Sequence, residues 1–149
     1  MQKGTRFGLR TRRLGTATGA AGLGCSWYEV EAGRSAFPRH FHCANEEALF
    51  VLEGEGTLRL GDAEVPVRAG DYVTLPVGPE HAHELVNTGT APLRYLCLST
   101  LHNVEVVGYP DSKKVAALAA PDHTSGKLWV REIFRSASAV DYYDGEDVE

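Results

Sequence analysis

Two histidine pairs, His40-Phe41-His42 and His81-Ala82-His83, flank Glu47 in a chain of 149 residues. Imidazole nitrogens and a carboxylate oxygen are donors that first-row divalent metals accept. In an extended strand, residues two apart point to the same face. His40 and His42 therefore form a chelating pair, provided that their segment is a strand. Glu47 heads the next apolar run, after a short turn through Ala44 and Asn45, and can add an oxygen from a neighbouring strand. A third imidazole can come from the second pair. Three imidazoles and one carboxylate suit one divalent transition metal: Mn, Fe, Co, Ni or Zn. If that metal is six-coordinate, two positions stay open for water or a substrate. Cys43 alternates away from His42, which argues against a thiolate ligand. Cys25 and Cys97 lie in apolar runs and read as small buried hydrophobes.

Such a cluster needs strands to carry it, and the sequence supplies them. Short β-rich runs alternate with turn residues: Cys25 to Ala32, Ala36 to His42, Glu47 to Glu53, Thr57 to Leu60, Val65 to Arg68 and Tyr72 to Leu75. The pattern continues through Val86, Leu93 to Ser99 and Val104 to Val107. Gly54, Gly61-Asp62, Gly70-Asp71, Pro76 to Pro79 and Asn87 to Gly89 divide the runs. Strands of this length and spacing indicate an all-β sandwich or barrel. Ala and Leu favour a short helix over Lys113 to Ala120, stopped by Pro121. Leu128 to Phe134 reads as a late strand at a sheet edge. No linker divides the chain, so residues 1–149 form one domain.

The formal charge of −5 and a charged fraction of 23% carry no concentrated basic surface. That balance excludes nucleic acid as a partner, since phosphate binding draws on such a surface. Arg10, Arg12 and Arg13 read as a solvated strand edge. Asp141, Asp144, Glu146, Asp147 and Glu149 form a solvated acidic terminus. Three cysteines without a CxxC pair point to a reducing, cytoplasmic setting. Arg12-Arg13-Leu14 and the Gly/Ala-rich stretch after it resemble a twin-arginine signal, but lack the apolar core of an export segment. No membrane segment is expected.

The spacing of these residues resembles the two signature motifs of the cupin superfamily. The first runs from Gly33 through His40, His42 and Glu47 to Gly54, with one extra residue after Gly33. The second runs from Gly70 through Pro76 and Gly78 to a histidine and then Asn87, with two extra residues. Counting from Gly78 selects His81 as the third histidine ligand; counting back from Asn87 selects His83. The second is preferred, because a loop absorbs extra residues more easily than a paired strand does. His81 is then expected on the same strand face as His83, near the barrel mouth, as the candidate for proton transfer.

The resemblance is strongest over residues 25 to 100 and implies a double-stranded β-helix, or jelly-roll barrel, with a metal inside and a short C-terminal helix or extension. It also implies a homodimer, which here would pair edge strands near residues 25 to 32 or 128 to 134. Cupins include isomerases, dioxygenases, decarboxylases, sensing domains and storage proteins, and the fold alone does not choose among them. The leading expectation is a metal-dependent enzyme of isomerase or dioxygenase type on a small polar molecule. The other is a non-catalytic module that binds or senses a sugar or carboxylate.

Overall fold

The computed structural model describes residues 1–147; Glu149 of the acidic terminus lies outside the described residues. The chain begins with β1 (Gln2–Lys3), β2 (Phe7–Gly8) and β3 (Arg10–Arg13), then α1, a single turn over Leu14–Ala17. There follow β4 (Leu23–Val30), β5 (Phe41–His42), β6 (Glu47–Glu53), β7 (Glu55–Leu60), β8 (Ala63–Arg68) and β9 (Tyr72–Leu75). A 3-10 turn over Pro79–His81 leads into β10 (His83–Val86). The chain then forms β11 (Leu93–Thr100), β12 (Val104–Tyr109), β13 (Lys114–Ala119) and β14 (Val130–Arg135). Among the described residues no helix is long and apolar enough to cross a membrane.

Three antiparallel sheets build the barrel, in the orders β3-β4-β11-β6-β9, β10-β7-β8 and β14-β13-β12-β5. The five-stranded sheet sends Val30, Leu49, Val51, Leu75, Leu93 and Tyr95 into one apolar core. Leu58, Val67 and Leu85 enter the same core from the three-stranded sheet. This is the all-β arrangement that the strand spacing predicts, in the jelly-roll form that the resemblance implies. Close packing of alternate residues from two facing sheets is what such a core requires.

Two glycines are dictated by local geometry. Gly54 turns β6 into β7 at φ +85°, and a Cβ there would lie 2.6 Å from the Pro92 carbonyl oxygen. Gly108 faces Phe41 in the register of β5 and β12. A Cβ on it would come within 2.2 Å of the Phe41 ring. The missing side chain lets Phe41 lie against β12, while His40 and His42 turn to the other face.

A buried ion network fixes the outer flank of the future site. The Glu84 side chain is fully buried and accepts hydrogen bonds from Ser35 Oγ at 2.8 Å, Arg59 at 2.6 Å and Arg6 at 3.0 and 3.1 Å. Arg59 and Arg39 both reach Asp111, at 3.3 and 3.2 Å. Residues adjacent to His40 and His83 are thereby tied together. Asn87 is fully buried and satisfied: its amide donates to the Val30 and Ala91 carbonyls, and its oxygen accepts from Gly89 N–H. It anchors the end of β10, and with it the register that carries His83.

The structure corrects two expectations about the elements. The segment expected as a helix, Lys113 to Ala120, is strand β13, hydrogen-bonded to β12 on one side and β14 on the other. Lys113 turns the hairpin at φ +51°, and sheet neighbours on both sides override a weak helix propensity. The C-terminal part of the barrel is thus an extension of strands. Residues 25 to 32 offer no free edge either, because β4 is covered by β3 and β11. Strand β14 keeps its outer edge, and β3, which carries the arginines, is exposed throughout.

Candidate metal centre

Each of the three sheets delivers part of one cluster. His40 and His83 pair across an antiparallel bridge, with His40 N–H on the His83 carbonyl at 3.0 Å and the reverse at 2.8 Å. His42 ends β5, Glu47 begins β6 and His83 begins β10. One donor atom from each of His40, His42, Glu47 and His83 lies within 4.8 Å of the others. Glu47 Oε2 stands 3.4 Å from His42 Nε2 and 3.3 Å from His83 Nε2. Glu47 Oε1 accepts from the Cys97 thiol at 3.7 Å.

The far sides of the His40 and His83 rings are held by hydrogen bonds, which leaves their near nitrogens free. His40 Nδ1 lies 2.8 Å from the Pro38 carbonyl, and His83 Nδ1 lies 3.0 Å from the His81 carbonyl. A carbonyl can only accept, so both Nδ1 atoms carry hydrogen and both Nε2 atoms present a lone pair. His42 Nδ1 faces Glu105 Oε2 at 3.4 Å. This is the outer support that metal-ligating histidines commonly have.

The ionisation of the group suits a cation. Burial pushes His40 down to about 4, helped by its neighbours His83 and His42. It therefore stays neutral and able to donate. Burial would push the Glu47 carboxyl up, but the His42 and His83 rings beside it outweigh that and hold the carboxyl far below the usual range. For His42, burial lowers the pKa, but Glu47 and Glu105 on either side raise it above the usual value. Burial, with Glu47 beside it, pushes the Cys97 thiol up, so it remains a thiol.

A metal fits this arrangement on one further observation. His42 Nδ1 and Nε2 are both buried without a geometrically acceptable hydrogen-bond partner. A polar atom left this way is costly, and a cation between the imidazoles and Glu47 would satisfy Nε2. The cluster can therefore bind a metal. It sits in a cavity of about 160 Å³ whose other walls include Tyr28, Phe37, Leu49 and Tyr95. Tyr28 packs against Phe37 and Tyr95, with ring centroids 5.5 and 5.4 Å away.

His81 does not join the cluster. The HxH spacing suggested one strand face for both residues, but Pro79–His81 is a 3-10 turn and β10 starts only at His83. The turn takes up the two extra residues after Gly78. His81 lines no part of the cavity, and its nearest carboxylate is Glu80 at 3.8 Å.

Sequence reasoning missed Glu105. It is nearly buried on β12 and accepts from the backbone N–H groups of Cys43 and Ala44 on Oε1, and of Asn45 on Oε2, at 3.0, 3.1 and 2.7 Å. One side chain thus clamps the turn between His42 and Glu47 and faces the His42 ring. Its only signal is a carboxylate inside the apolar run Val104 to Val107.

The fold and the donor set define a small β-barrel with a histidine–carboxylate centre. The Cupin domain family model matches residues 26–99, and the chain belongs to the cupin superfamily. Among solved structures it resembles a sugar phosphate isomerase of the cupin superfamily from Silicibacter pomeroyi, with a TM-score of 0.77 and 26% identity. That match covers 95% of this chain and 81% of the other. A proposed sugar phosphate isomerase from Acidithiobacillus ferrooxidans gives a TM-score of 0.75 and 28% identity, covering 89% and 80%. An uncharacterized protein of Methanocaldococcus jannaschii is 37% identical over 60 residues, 40% of this chain and 46% of that protein. The chain spans less than half the length of the curated relatives it matches.

Proposed function

We propose that the protein is a metal-dependent enzyme of isomerase type, acting on a small polar molecule at one divalent transition metal held by His40, His42, Glu47 and His83. The observation that carries this reading is the four-donor cluster, with the outward nitrogens of His40 and His83 fixed by backbone carbonyls, on the wall of a cavity. When bound, the metal would supply Lewis-acid polarisation of a substrate carbonyl or enediolate oxygen. The chain's own part is to hold three imidazoles and one carboxylate in place, with Cys97 fixing the second Glu47 oxygen. The aromatic wall of Tyr28, Phe37 and Tyr95 excludes water from one side of the bound molecule. Two solved relatives that the chain matches over four fifths of their length are described as sugar phosphate isomerases, one as a proposal. They make hydroxycarbonyl phosphates the first substrates to try.

One observation favours a non-catalytic binding or sensing role instead. Outside the cluster, the ionisable groups lining the cavity are Tyr28, Tyr95 and Cys97, all pushed upward chiefly by burial, and Glu84, which is tied to two arginines. None of these is a free base at neutral pH. The two readings separate in one assay: metal-loaded protein is mixed with aldose and ketose phosphates and followed by proton NMR. Interconversion that depends on metal and disappears in Glu47→Ala is the expected result. Saturable binding without product would move the assignment to a sensing module. Oxygen uptake with chelating diketones, in iron-loaded protein only, would move it to a dioxygenase.

A further inference from the structure

A second cavity, of about 250 Å³, opens beside the cluster and shares Tyr28, Glu47 and Cys97 with the first. Strand register explains how it runs. Arg13, Ser26 and Cys97 stand on one rung across β3, β4 and β11. Gly24, Ser99 and Glu47 stand on the rung two residues away, across β4, β11 and β6. The period of two puts both rungs on one face, so a polar track leads from Glu47 past Ser99 and Ser26 to Arg13. Gly24 leaves its floor open: a Cβ there would meet Ser99 Oγ at 2.4 Å. The segment after β13 folds over the track and contributes His123. Asp122 fixes that segment by accepting from Thr124 N–H, Thr124 Oγ1 and Ser125 N–H at 2.7, 2.8 and 2.6 Å.

Two of these groups have no hydrogen-bond or ion-pair partner among the described residues. His123 Nε2 is buried without a hydrogen-bond partner. Arg13 makes no ion pair or side-chain hydrogen bond with any described residue, although Arg10 on the same strand pairs with Glu29. Arg12 points to the other face, with its guanidinium 5.4 Å from the Trp27 ring centroid. The cavity is also asymmetric in charge. Its one carboxylate, Glu47, lies at the end it shares with the cluster, while Arg13, His123 and the hydroxyls of Thr16, Ser26 and Ser99 are polar groups of the rest, interspersed with Leu23, Cys25 and Leu101. A cation and several neutral donors, with no other acid, suit an oxyanion.

We infer that Arg13 and His123 form an oxyanion subsite that receives the anionic tail of the substrate, a phosphate ester or a carboxylate, whose polar head reaches Glu47 and the cluster. This deepens the reading given above and rests on it. The cavity places the two ends of one small molecule in continuous space, and the open floor at Gly24 leaves room for the link between them.

The test is calorimetric titration of inorganic phosphate, and separately of acetate, into the protein as isolated, with metal content matched across variants. Arg13→Gln and His123→Ala should each weaken anion binding about tenfold or more, the usual worth of a hydrogen bond to a charged group. Arg12→Gln, with the same charge change on the opposite face, should leave it unaltered. Arg13 lies on an exposed strand, so its loss spares the fold even where His123→Ala disturbs it. Tighter phosphate than acetate identifies a phosphate tail, and the reverse a carboxylate. Equal losses for Arg12→Gln and Arg13→Gln, or no anion binding by the unaltered protein, would overturn the subsite. The readout needs no turnover: anion binding without isomerase activity would sink only the enzymatic reading, and activity indifferent to Arg13 only the subsite.

Discussion

Replacing His83 by alanine is expected to abolish stoichiometric metal binding, while His81→Ala leaves it close to that of the unaltered protein. His83 Nε2 faces Glu47 at 3.3 Å, and its Nδ1 is held by a backbone carbonyl. His81 contributes to the cluster only through that carbonyl, which alanine retains. Removing an outer partner of a ligand typically costs 10–100-fold in metal affinity; losing one of four ligands should cost more than about 100-fold. A competition titration against a chromophoric chelator reads both variants. The opposite order would mean that β10 is shifted and that Gly78, not Asn87, sets the register of the second motif.

The second large effect is expected at Glu105. Its two oxygens accept three backbone N–H groups of the turn from Cys43 to Asn45, and Oε2 faces His42. Glu105→Ala leaves those amides without their acceptor and lets both His42 and Glu47 move. Folding stability should fall by roughly 2–4 kcal/mol, the worth of one or two charged hydrogen bonds. Metal affinity should fall a further 10–100-fold, as for outer partners generally. Urea unfolding of the metal-free protein separates the two quantities. A stability loss with unchanged affinity would show that Glu105 only holds the turn and does not position the donors.

The sequence made much of this legible, for identifiable reasons. Glu47 to Glu53 is a strand with the bounds that its apolar run and Gly54 suggest. The pairing of His40 with His42 is legible because HxH spacing in a strand is a local property, whereas the choice of His83 over His81 comes from the resemblance, counted back from Asn87. The neighbours that tune them are not local. Glu105 reaches the turn at Cys43 from 62 residues away, through a pairing of β5 and β12 that no short-range pattern encodes. His123 escaped notice because a lone histidine after Pro121 carries no spacing partner. Lys113 to Ala120 reads as a helix because alanine content is a local preference, whereas β12 and β14, which make it a strand, are tertiary neighbours. His81 departs from its expected place because His81-Ala82-His83 reads as one strand face, whereas Pro79–His81 is a 3-10 turn and the strand starts at His83.

Elemental analysis of tag-free protein, expressed in medium with balanced trace metals and compared with Glu47→Ala, tests the central claim most directly. About one equivalent of a divalent transition metal in the unaltered protein, lost in Glu47→Ala, is the predicted result, since ligand loss releases a metal held by deprotonated donors. Iron would direct substrate trials to oxygen chemistry; manganese, nickel, cobalt or zinc would direct them to isomerisation. No metal as isolated and none taken up on reconstitution, or equal content in Glu47→Ala, would contradict the centre built on His40, His42, Glu47 and His83.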